Sequence, residues 1–327
     1  MSSRSSRLSP AAEPNPVRHE SILDLIGNTP LVGIHALSPH PNVKIYAKLE
    51  GQNPGGSAKD RIATKRIDLA ERDGVLTPGK TILEPSSGNT GIGLALVAKL
   101  RGYGLRVVMP DNVSVERRQL LEIFGAEVTL SPGGEGSNGA IRRAQEIAAA
   151  QPEYAFLYQY GNPANPLAHY EGTGPEIYAD CPELDVFVAG LGTSGTLMGV
   201  GRYLREHKPE VQIVAVEPPA GELVQGLRSL DDGFVPPIFD PDILDRKTIV
   251  RNRESIEWTR RLLDECGVFA GISSGAAVAG AVKVASRMES GTVVTLLPDG
   301  GWKYLSSGAW TDDLDVVEER ASRINYW

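Results

Sequence analysis

The stretch N-P-G-G-S-A-K-D-R, residues 53–61, follows a strand-like run, V-K-I-Y-A-K-L-E, and leads into a helix-like run. Its proline and two glycines predict a tight turn. Ser57 then stands where a helix N-cap would be, which places Lys59 in the first helical turn. The partial positive charge of a helix N-terminus disfavours an ammonium and lowers its pKa. Lys59 is therefore either a solvated surface lysine or an amine nucleophile of the kind that forms a Schiff base.

The composition excludes several classes of protein. The chain has 327 residues, enough for two domains, and its net charge of -8, without a basic cluster, argues against nucleic-acid binding. Two cysteines without motif spacing fit a reducing compartment, and five scattered histidines show no metal-ligand spacing. No apolar run could span a bilayer, and residues 1–18 lack the apolar core of a secretory signal. We therefore expect a cytoplasmic protein with a disordered tail over residues 1–19 and no membrane, nucleic-acid or metal partner.

Strands alternate with helices along most of the chain, which predicts βαβ units and a parallel sheet. The clearest strand-like runs are T-I-L-E-P (81–85), L-R-V-V-M-P (105–110), A-E-V-T-L (126–130), V-F-V-A-G (186–190), V-Q-I-V-A-V-E (211–217) and T-V-V-T-L-L-P (292–298). A second cycle begins after the loop G-N-P-A-N-P, residues 161–166. We predict an α/β protein with a smaller domain over residues 50–160. Residues 20–49 and 161–327 would form a larger domain, with a ligand cleft between the two.

Two loops at predicted strand-to-helix turns carry hydroxyl groups. In S-S-G-N-T-G, residues 86–91, backbone N–H groups at a helix start form an anion site that suits a carboxylate. In G-I-S-S-G, residues 271–275, a serine hydroxyl could bond a ring nitrogen. In both loops, a simple helix cap is the alternative interpretation.

A third loop, G-L-G-T-S-G at residues 190–195, has the G-x-G-x-x-G spacing of a dinucleotide site, and Glu217 follows at about the distance of a ribose partner. This loop alone would favour an NAD-dependent oxidoreductase. It lies past the middle of the chain, however, and the hydroxyls of Thr193, Ser194 and Thr196 suit a terminal phosphate better than a pyrophosphate. An amine, a phosphate cradle and a ring-nitrogen partner together are what pyridoxal phosphate requires.

The combined motifs resemble the fold type II pyridoxal-phosphate enzymes, and specifically the cysteine synthase family, from Ile26 to the K-Y-L-S-S-G run at Lys303. The motifs that carry the resemblance are N-P-G-G-S-A-K-D-R, E-P-S-S-G-N-T-G, Y-Q-Y-G-N-P-A-N, G-L-G-T-S-G-T and F-A-G-I-S-S-G-A. The resemblance implies a two-domain, three-layer fold with parallel-type sheets, like that of the tryptophan synthase β subunit. It also implies a homodimer that acts in cysteine biosynthesis.

The resemblance also implies roles for individual residues. Lys59 would carry the internal aldimine of pyridoxal 5'-phosphate and later move the α-proton of the substrate. Asn89 would bond the ring hydroxyl of the cofactor, and Ser273 its pyridine nitrogen. The cofactor phosphate would bind to Gly192, Thr193, Ser194, Gly195 and Thr196. The substrate carboxylate would bind to Ser86, Ser87, Thr90 and Gln159.

The run G-L-R-S-L-D-D-G-F-V-P, residues 226–236, is similar to the actinobacterial branch that uses O-phosphoserine. There, an arginine at the position of Arg228 would meet the substrate phosphate, for which a planar guanidinium is well suited. Pro219 stands where that branch has a second basic residue, and some O-acetylserine enzymes also carry an arginine nearby, so O-acetylserine remains an alternative. The same branch takes sulfur from a small thiocarboxylated carrier protein. Tyr326 and Trp327 of this chain could cover the cleft.

The expected reaction is β-replacement on an activated serine through an aminoacrylate, with sulfide or the carrier as the sulfur nucleophile. Within the family, the alternatives are a serine or threonine dehydratase and a β-replacement enzyme of specialised metabolism. Outside it, the alternatives are the NAD-dependent oxidoreductase and a non-catalytic cofactor-binding protein.

Overall fold

A computed structural model of the chain describes residues 18–86, 88–113 and 115–323. Ser87, Tyr326 and Trp327, which have predicted roles, lie outside this part of the chain, as does most of the predicted tail over residues 1–19. Within the described part, no helix is both long enough and apolar enough to cross a membrane.

The strands of the described chain are short and are separated by helices. In chain order they are β1 (Leu31–Gly33), β2 (Val43–Leu49), β3 (Thr81–Pro85), β4 (Gly104–Pro110), β5 (Glu127–Ser131), β6 (Tyr154–Phe156), β7 (Val186–Gly190), β8 (Gln212–Glu217), β9 (Arg246–Ile249) and β10 (Gly291–Leu297). All seven of the strand-like runs quoted from the sequence form strands.

Four of the helices begin at the stretches identified in the sequence, namely the turn before Lys59 and the loops at residues 86–91, 190–195 and 271–275. The helices are α1 (Lys59–Arg72), α2 (Asn89–Arg101), α3 (Val115–Ile123), α4 (Gly136–Ala150), α5 (Ala164–Ala168), α6 (Gly174–Asp180), α7 (Gly195–His207), α8 (Asn252–Cys266), α9 (Ile272–Ala285) and α10 (Leu314–Arg323). Short 3-10 turns lie at Ile22–Leu25, His35–Leu37, Glu50–Gln52, Gly133–Glu135, Leu230–Asp232, Pro241–Ile243 and Gly301–Ser307, and a π-helical turn lies at His169–Thr173.

The strands form two sheets. One has six strands in the order β1-β2-β10-β7-β8-β9, and the other has four in the order β5-β4-β3-β6. Every neighbouring pair is parallel except β1 and β2. This confirms the α/β class with parallel-type sheets. The predicted domain boundaries at residues 50 and 160 stay a prediction, which the membership of the two sheets supports.

Strand β7 shows why its sequence is apolar without alternation. Val186 and Val188 pack into the core cluster that includes residues of α9, whereas Phe187 and Ala189 pack into the cluster that includes residues of α7. Successive side chains of a strand point to opposite faces, so both faces of this sheet are covered by helices. The edge strand β9 has exposed residues in the polar sequence R-K-T-I, which is why no strand is predicted there from the sequence.

Parallel strands bring their following loops to one edge of a sheet. The loop after β3 leads to Asn89, the loop after β7 leads to Gly195, and the loop after β10 contains Asp299. The turn at residues 53–58, called the Lys59 turn below, lies against the last of these loops, since the Ala58 N–H donates to the Pro298 carbonyl at 2.9 Å. The predicted ligand loops are therefore neighbours in space although they are far apart in sequence.

A buried ionic network holds the start of α1. The Arg61 guanidinium contacts Glu50 at 2.7 Å and Glu176 of α6 at 2.6 Å, and Lys48 of β2 contacts Glu176 at 2.9 Å. The side chains of Lys48 and Glu50 are fully buried. Because each charge has an opposite partner, the network fixes α1 relative to β2 without leaving a charge unpaired.

We predict that Glu176→Gln destabilises the protein at neutral pH. Burial alone would raise the pKa of Glu176, but hydrogen bonds from Arg61 and Lys48 lower it to about 2. A carboxyl with a lowered folded-state pKa stabilises the fold above its unfolded pKa and loses that effect as the pH falls towards 2. After allowance for solvent screening, we expect a loss of about 2 kcal/mol at pH 7.

Urea unfolding of both proteins between pH 7 and pH 3 tests this. The difference in unfolding free energy should shrink steadily below about pH 4.5. Glu171→Gln is the matched control, because Glu171 pairs with Lys65 on the protein surface and should cost under about 1 kcal/mol. A difference for Glu176→Gln that does not change with pH would contradict the prediction.

Candidate functional site

Lys59 is the first residue of α1, as expected. The N-cap residue of α1 is Ala58, one residue later than the predicted Ser57. Ser57 still bonds the helix start, because the Lys59 backbone N–H donates to its hydroxyl at 3.2 Å. Burial lowers the pKa of the Lys59 ammonium, and the carboxylates of Asp299 and Glu50 partly oppose that effect. The sequence interpretation assigned the lowered pKa to the helix N-terminus, whereas burial is the largest cause in the structure. An amine that sheds its proton more easily is better suited to act as a nucleophile.

The turn before Lys59 requires its glycines. Gly56 has φ +77°, in the left-handed region that glycine adopts without strain. The Gly55 N–H donates to the buried Asp60 carboxylate at 2.5 Å. The turn is therefore held from inside by the residue that follows Lys59.

The loop at residues 190–196, called the phosphate-type loop below, lines a small cavity that also reaches Lys59. The cavity measures about 50 Å³. Its lining residues are Lys59, Ala189, Gly190, Gly192, Thr193, Ser194, Gly195, Thr196, Gly226, Leu227, Ser273, Leu296 and Pro298. None of these described residues is acidic. The loop leads into the N-terminus of α7, where the first backbone N–H groups of the helix are available to an anion. The site therefore fits a phosphate monoester attached to a ring that reaches Lys59.

Close approach of two backbones shapes this cradle. A side chain at Gly192 would place its Cβ 2.7 Å from the Gly226 carbonyl oxygen, which leaves no room for one. The Thr193 hydroxyl accepts from the Asn165 amide at 3.0 Å, and the Thr196 hydroxyl bonds to the buried His169 ring at 3.2 Å. Burial lowers the pKa of His169 well below its usual value. A neutral ring therefore positions Thr196.

Ser273 lies in the same cavity. It is the second residue of α9 and is buried. A Cβ at Gly226 would lie 3.3 Å from its hydroxyl oxygen, so Gly226 gives Ser273 its space. The structure thus brings Lys59, the phosphate-type loop and Ser273 around one cavity.

A second cavity of about 110 Å³ adjoins the first and shares Lys59, Gly192, Thr193 and Gly226 with it. Its other lining residues are Ser86, Gly88, Asn89, Thr90, Arg117, Gln159, Tyr160, Arg228 and Tyr304. The structure therefore places every predicted carboxylate-binding residue here except Ser87, which lies outside the described residues. Thr90 donates its hydroxyl hydrogen to Gln159 at 2.6 Å, and Ser86 accepts from the Gly91 N–H at 3.1 Å.

Arg228 lies between the second cavity and a third one. Its backbone N–H donates to the Leu191 carbonyl at 2.7 Å, and its guanidinium packs over the rings of Phe234 at 4.6 Å and Tyr160 at 5.5 Å. The third cavity measures about 270 Å³. Its lining consists of Arg228, residues 134–138 at the start of α4, Glu222, Leu223, Leu227 and Asp232. Arg228 is thus held by aromatic packing and a backbone bond at the border of the two spaces.

The sequence predictions miss several residues of the site, among them Arg117, Asp299, Lys303 and Tyr304. Arg117 of α3 is buried, lines the second cavity and stacks over Tyr304 at 5.3 Å. Asp299 and Lys303 are also buried and both contact Asn89. Their position in the sequence could have indicated them, because Arg117 lies shortly after β4 and the other three lie shortly after β10.

The dinucleotide interpretation receives no support from Glu217. Its buried carboxylate pairs with Lys247 at 2.7 Å and accepts from the Leu230 N–H at 3.2 Å. It is not among the described residues that line the first two cavities. The carboxylate that would bind a ribose in a dinucleotide site is therefore bonded to protein groups instead.

Comparison with known proteins identifies the family. The family profile "Pyridoxal-phosphate dependent enzyme" matches residues 22–299. A cysteine synthase from Staphylococcus aureus (strain Mu50 / ATCC 700699) is 44% identical over 306 residues, which cover 90% of this chain and 98% of the relative.

Solved structures agree with that result. The crystal structure of an O-ureido-L-serine synthase is 42% identical with a TM-score of 0.85, and the match covers 90% of this chain and 96% of the other. A cysteine synthase structure from Entamoeba histolytica is 33% identical with a TM-score of 0.87, and the match covers 97% of this chain and 99% of the other. These matches confirm the predicted cofactor, pyridoxal 5'-phosphate. The chain belongs to the pyridoxal-phosphate dependent enzymes, among relatives that include the cysteine synthases.

Proposed function

We propose that this enzyme is a cysteine synthase that replaces the β-substituent of O-phosphoserine, in preference to O-acetylserine, with sulfur. The observation that carries the proposal is the charge of the second cavity. Two guanidinium groups line it, those of Arg117 and Arg228, and no acidic side chain does among the described residues. Such a site favours a substrate that carries a phosphate as well as a carboxylate.

Residues of the first cavity, together with Asn89 of the second, would hold the cofactor. Gly192 through Thr196 would bind its phosphate, Ser273 its pyridine nitrogen and Asn89 its ring hydroxyl. When bound, pyridoxal phosphate acts as an electron sink that makes the α-proton of an amino acid removable. Lys59 would hold the cofactor at rest and, once released from it, move that α-proton.

The start of α2 would hold the substrate carboxylate. Ser86, Thr90 and Gln159 line the cavity next to the N-terminal N–H groups of α2. Thr90 and Gln159 are already hydrogen-bonded to each other, so the polar groups are held in place before the substrate arrives. A carboxylate there would gain both hydrogen bonds and the favourable field of a helix N-terminus.

Arg228 would meet the leaving phosphate. A guanidinium can bind two phosphate oxygens at once, and packing on Phe234 and Tyr160 limits the positions that it can take. An acetyl ester carries no charge for it to pair with. Selectivity for the phosphate ester would therefore come from Arg228 more than from Lys59.

The sulfur nucleophile in this proposal is sulfide or a thiocarboxylated carrier protein. The third cavity supports an approach from the side of Arg228, because it adjoins the second cavity there. We also propose, from the family resemblance, that the protein forms a homodimer and acts in the cytoplasm.

The similarity to an O-ureido-L-serine synthase favours a second candidate. O-ureido-L-serine contains no sulfur, so the same scaffold serves replacement by another kind of nucleophile. Incubation with O-phosphoserine and equal concentrations of sulfide and hydroxyurea, followed by mass spectrometry, separates the two. Cysteine as the main product supports the sulfur enzyme, and a ureido product supports the second candidate.

Replacement of Lys59 by alanine should abolish covalent attachment of the cofactor. Borohydride reduction of the wild-type protein should fix pyridoxal phosphate on a peptide that contains Lys59, and the variant should release it on denaturation. Turnover should fall by about a thousandfold or more, because both the attachment and the proton transfer are lost. Lys65→Ala on the same helix is the control and should retain activity, since Lys65 pairs with Glu171 at the surface. Cofactor fixed on another lysine would refute the assignment.

Replacement of Arg228 by alanine should separate the two serine esters. We expect kcat/KM for O-phosphoserine to fall about a hundredfold and kcat/KM for O-acetylserine to change by less than about threefold, because a bond to a charged oxygen is lost only for the phosphate. Arg228→Lys should recover part of the loss, since it keeps the charge without the planar fork. Arg118→Ala, which breaks an exposed pair with Glu122, is the control. Equal losses for the two esters would contradict the role of Arg228.

A further inference from the structure

The side-chain amide of Asn89 is bonded at both of its ends. Its Nδ2 donates to the Asp299 carboxylate at 2.7 Å, and its Oδ1 accepts from the Lys303 ammonium at 2.6 Å. Rotation of the amide by half a turn would face its oxygen to the carboxylate and its nitrogen to the ammonium. Both contacts would then be repulsive, so the two charges select one orientation of the amide.

The Lys303 ammonium also holds the turn before Lys59. It donates to the Gly55 carbonyl at 2.9 Å and to the Gly56 carbonyl at 3.0 Å. With the bond to Asn89, these contacts match the three donors of an ammonium. One buried cation therefore joins the Lys59 turn to the Asn89 side chain.

The Asp299 carboxylate is also held in position by hydrogen bonds. The same oxygen that accepts from Asn89 accepts from the Tyr304 hydroxyl at 2.6 Å, and the residue is 1% exposed. The backbone of Asp299 forms an isolated bridge with Ser57. Its position is thus set by both the chain that follows β10 and the Lys59 turn.

The carboxylates that face Lys303 help its amine to stay protonated, so that it can donate hydrogen bonds. Burial lowers its pKa to about 8, while Asp299 and Asp60 oppose the loss of its proton and Arg117 and Lys59 favour it. An ammonium with a pKa near 8 is mostly protonated at neutral pH.

We propose that Asp299 and Lys303 are positioning residues that orient the Asn89 amide towards the ring hydroxyl of pyridoxal phosphate and hold it in register with Lys59. Asp299 accepts one of the two Nδ2 hydrogens, and the other stays available for the cofactor. The inference rests on the proposed role of Asn89 and is independent of which serine ester the enzyme uses.

Binding of pyridoxine 5'-phosphate to the full-length, cofactor-free protein tests this. This ligand has the ring hydroxyl and the phosphate but no aldehyde, so attachment to Lys59 does not contribute. We expect Asp299→Asn to raise the Kd about tenfold when Asn89 is present and less than twofold in an Asn89→Ala background. Such non-additivity is the mark of a residue that acts through another. Equal factors in both backgrounds, or no effect in either, would overturn the proposal.

A ligand that lacks the ring hydroxyl supplies the complementary control. With 3-deoxypyridoxine 5'-phosphate, Asp299→Asn should change the Kd by less than about twofold. The buried Glu84, whose carboxylate pairs with Arg66, is the matched protein control. Glu84→Gln should have the same effect with and without Asn89.

Lys303 provides a second set of variants if Asp299→Asn fails to fold. Lys303→Met should weaken binding and keep part of its effect in the Asn89→Ala background, because it also frees the two glycine carbonyls. Lys303→Arg should recover most of the affinity. Full loss with arginine, or full additivity with Asn89→Ala, would contradict a positioning role. Because these measurements use no amino-acid substrate, a failure of the proposed O-phosphoserine specificity would leave them unchanged.

Discussion

The three hydrogen bonds of the Lys303 ammonium join parts of the site that come from distant parts of the chain. Two of them hold the carbonyls of Gly55 and Gly56 in the turn before Lys59, and the third holds the amide of Asn89 at the start of α2. A buried ammonium is stable only when its donors are satisfied. The fold therefore requires the Gly55–Gly56 turn and the start of α2 to lie at fixed distances from Lys303. The contacts with Lys303 explain how a glycine-rich turn can hold a lysine in one place.

The cavities next to this point differ in what they can hold. The first combines a glycine-rich helix start with threonine and serine hydroxyls, which suits a phosphate monoester. The second adds two arginines from different directions, Arg117 on α3 and Arg228 after β8. The proposed cofactor space therefore relies on backbone N–H groups and hydroxyls, whereas the proposed substrate space adds guanidinium groups. Arginine has the planar geometry for phosphate and carboxylate that lysine lacks.

Burial is the largest cause of the lowered pKa of Lys59. The sequence interpretation relied on the local turn, because a turn and a helix start can be read from nine residues. The burial that lowers the pKa of Lys59 comes from tertiary packing. The same holds for Asp60, whose pKa burial raises to about 6. Local sequence predicts where a candidate lysine lies, whereas the protonation of its amine depends on its surroundings in space.

The sequence by itself determined the α/β class and the strands quoted from it, because apolar runs bounded by glycine are strong local signals. It also located Lys59 and the loops at 86–91, 190–195 and 271–275, since parallel strands place their following loops at one edge. Edge strand β9 escaped prediction because its sequence is polar. Arg117, Asp299 and Lys303 escaped because their roles arise from contacts across long sequence separations, such as the 214 residues between Asn89 and Lys303. Only the tertiary structure decided those contacts, because a buried charge acquires its partners when distant segments pack together.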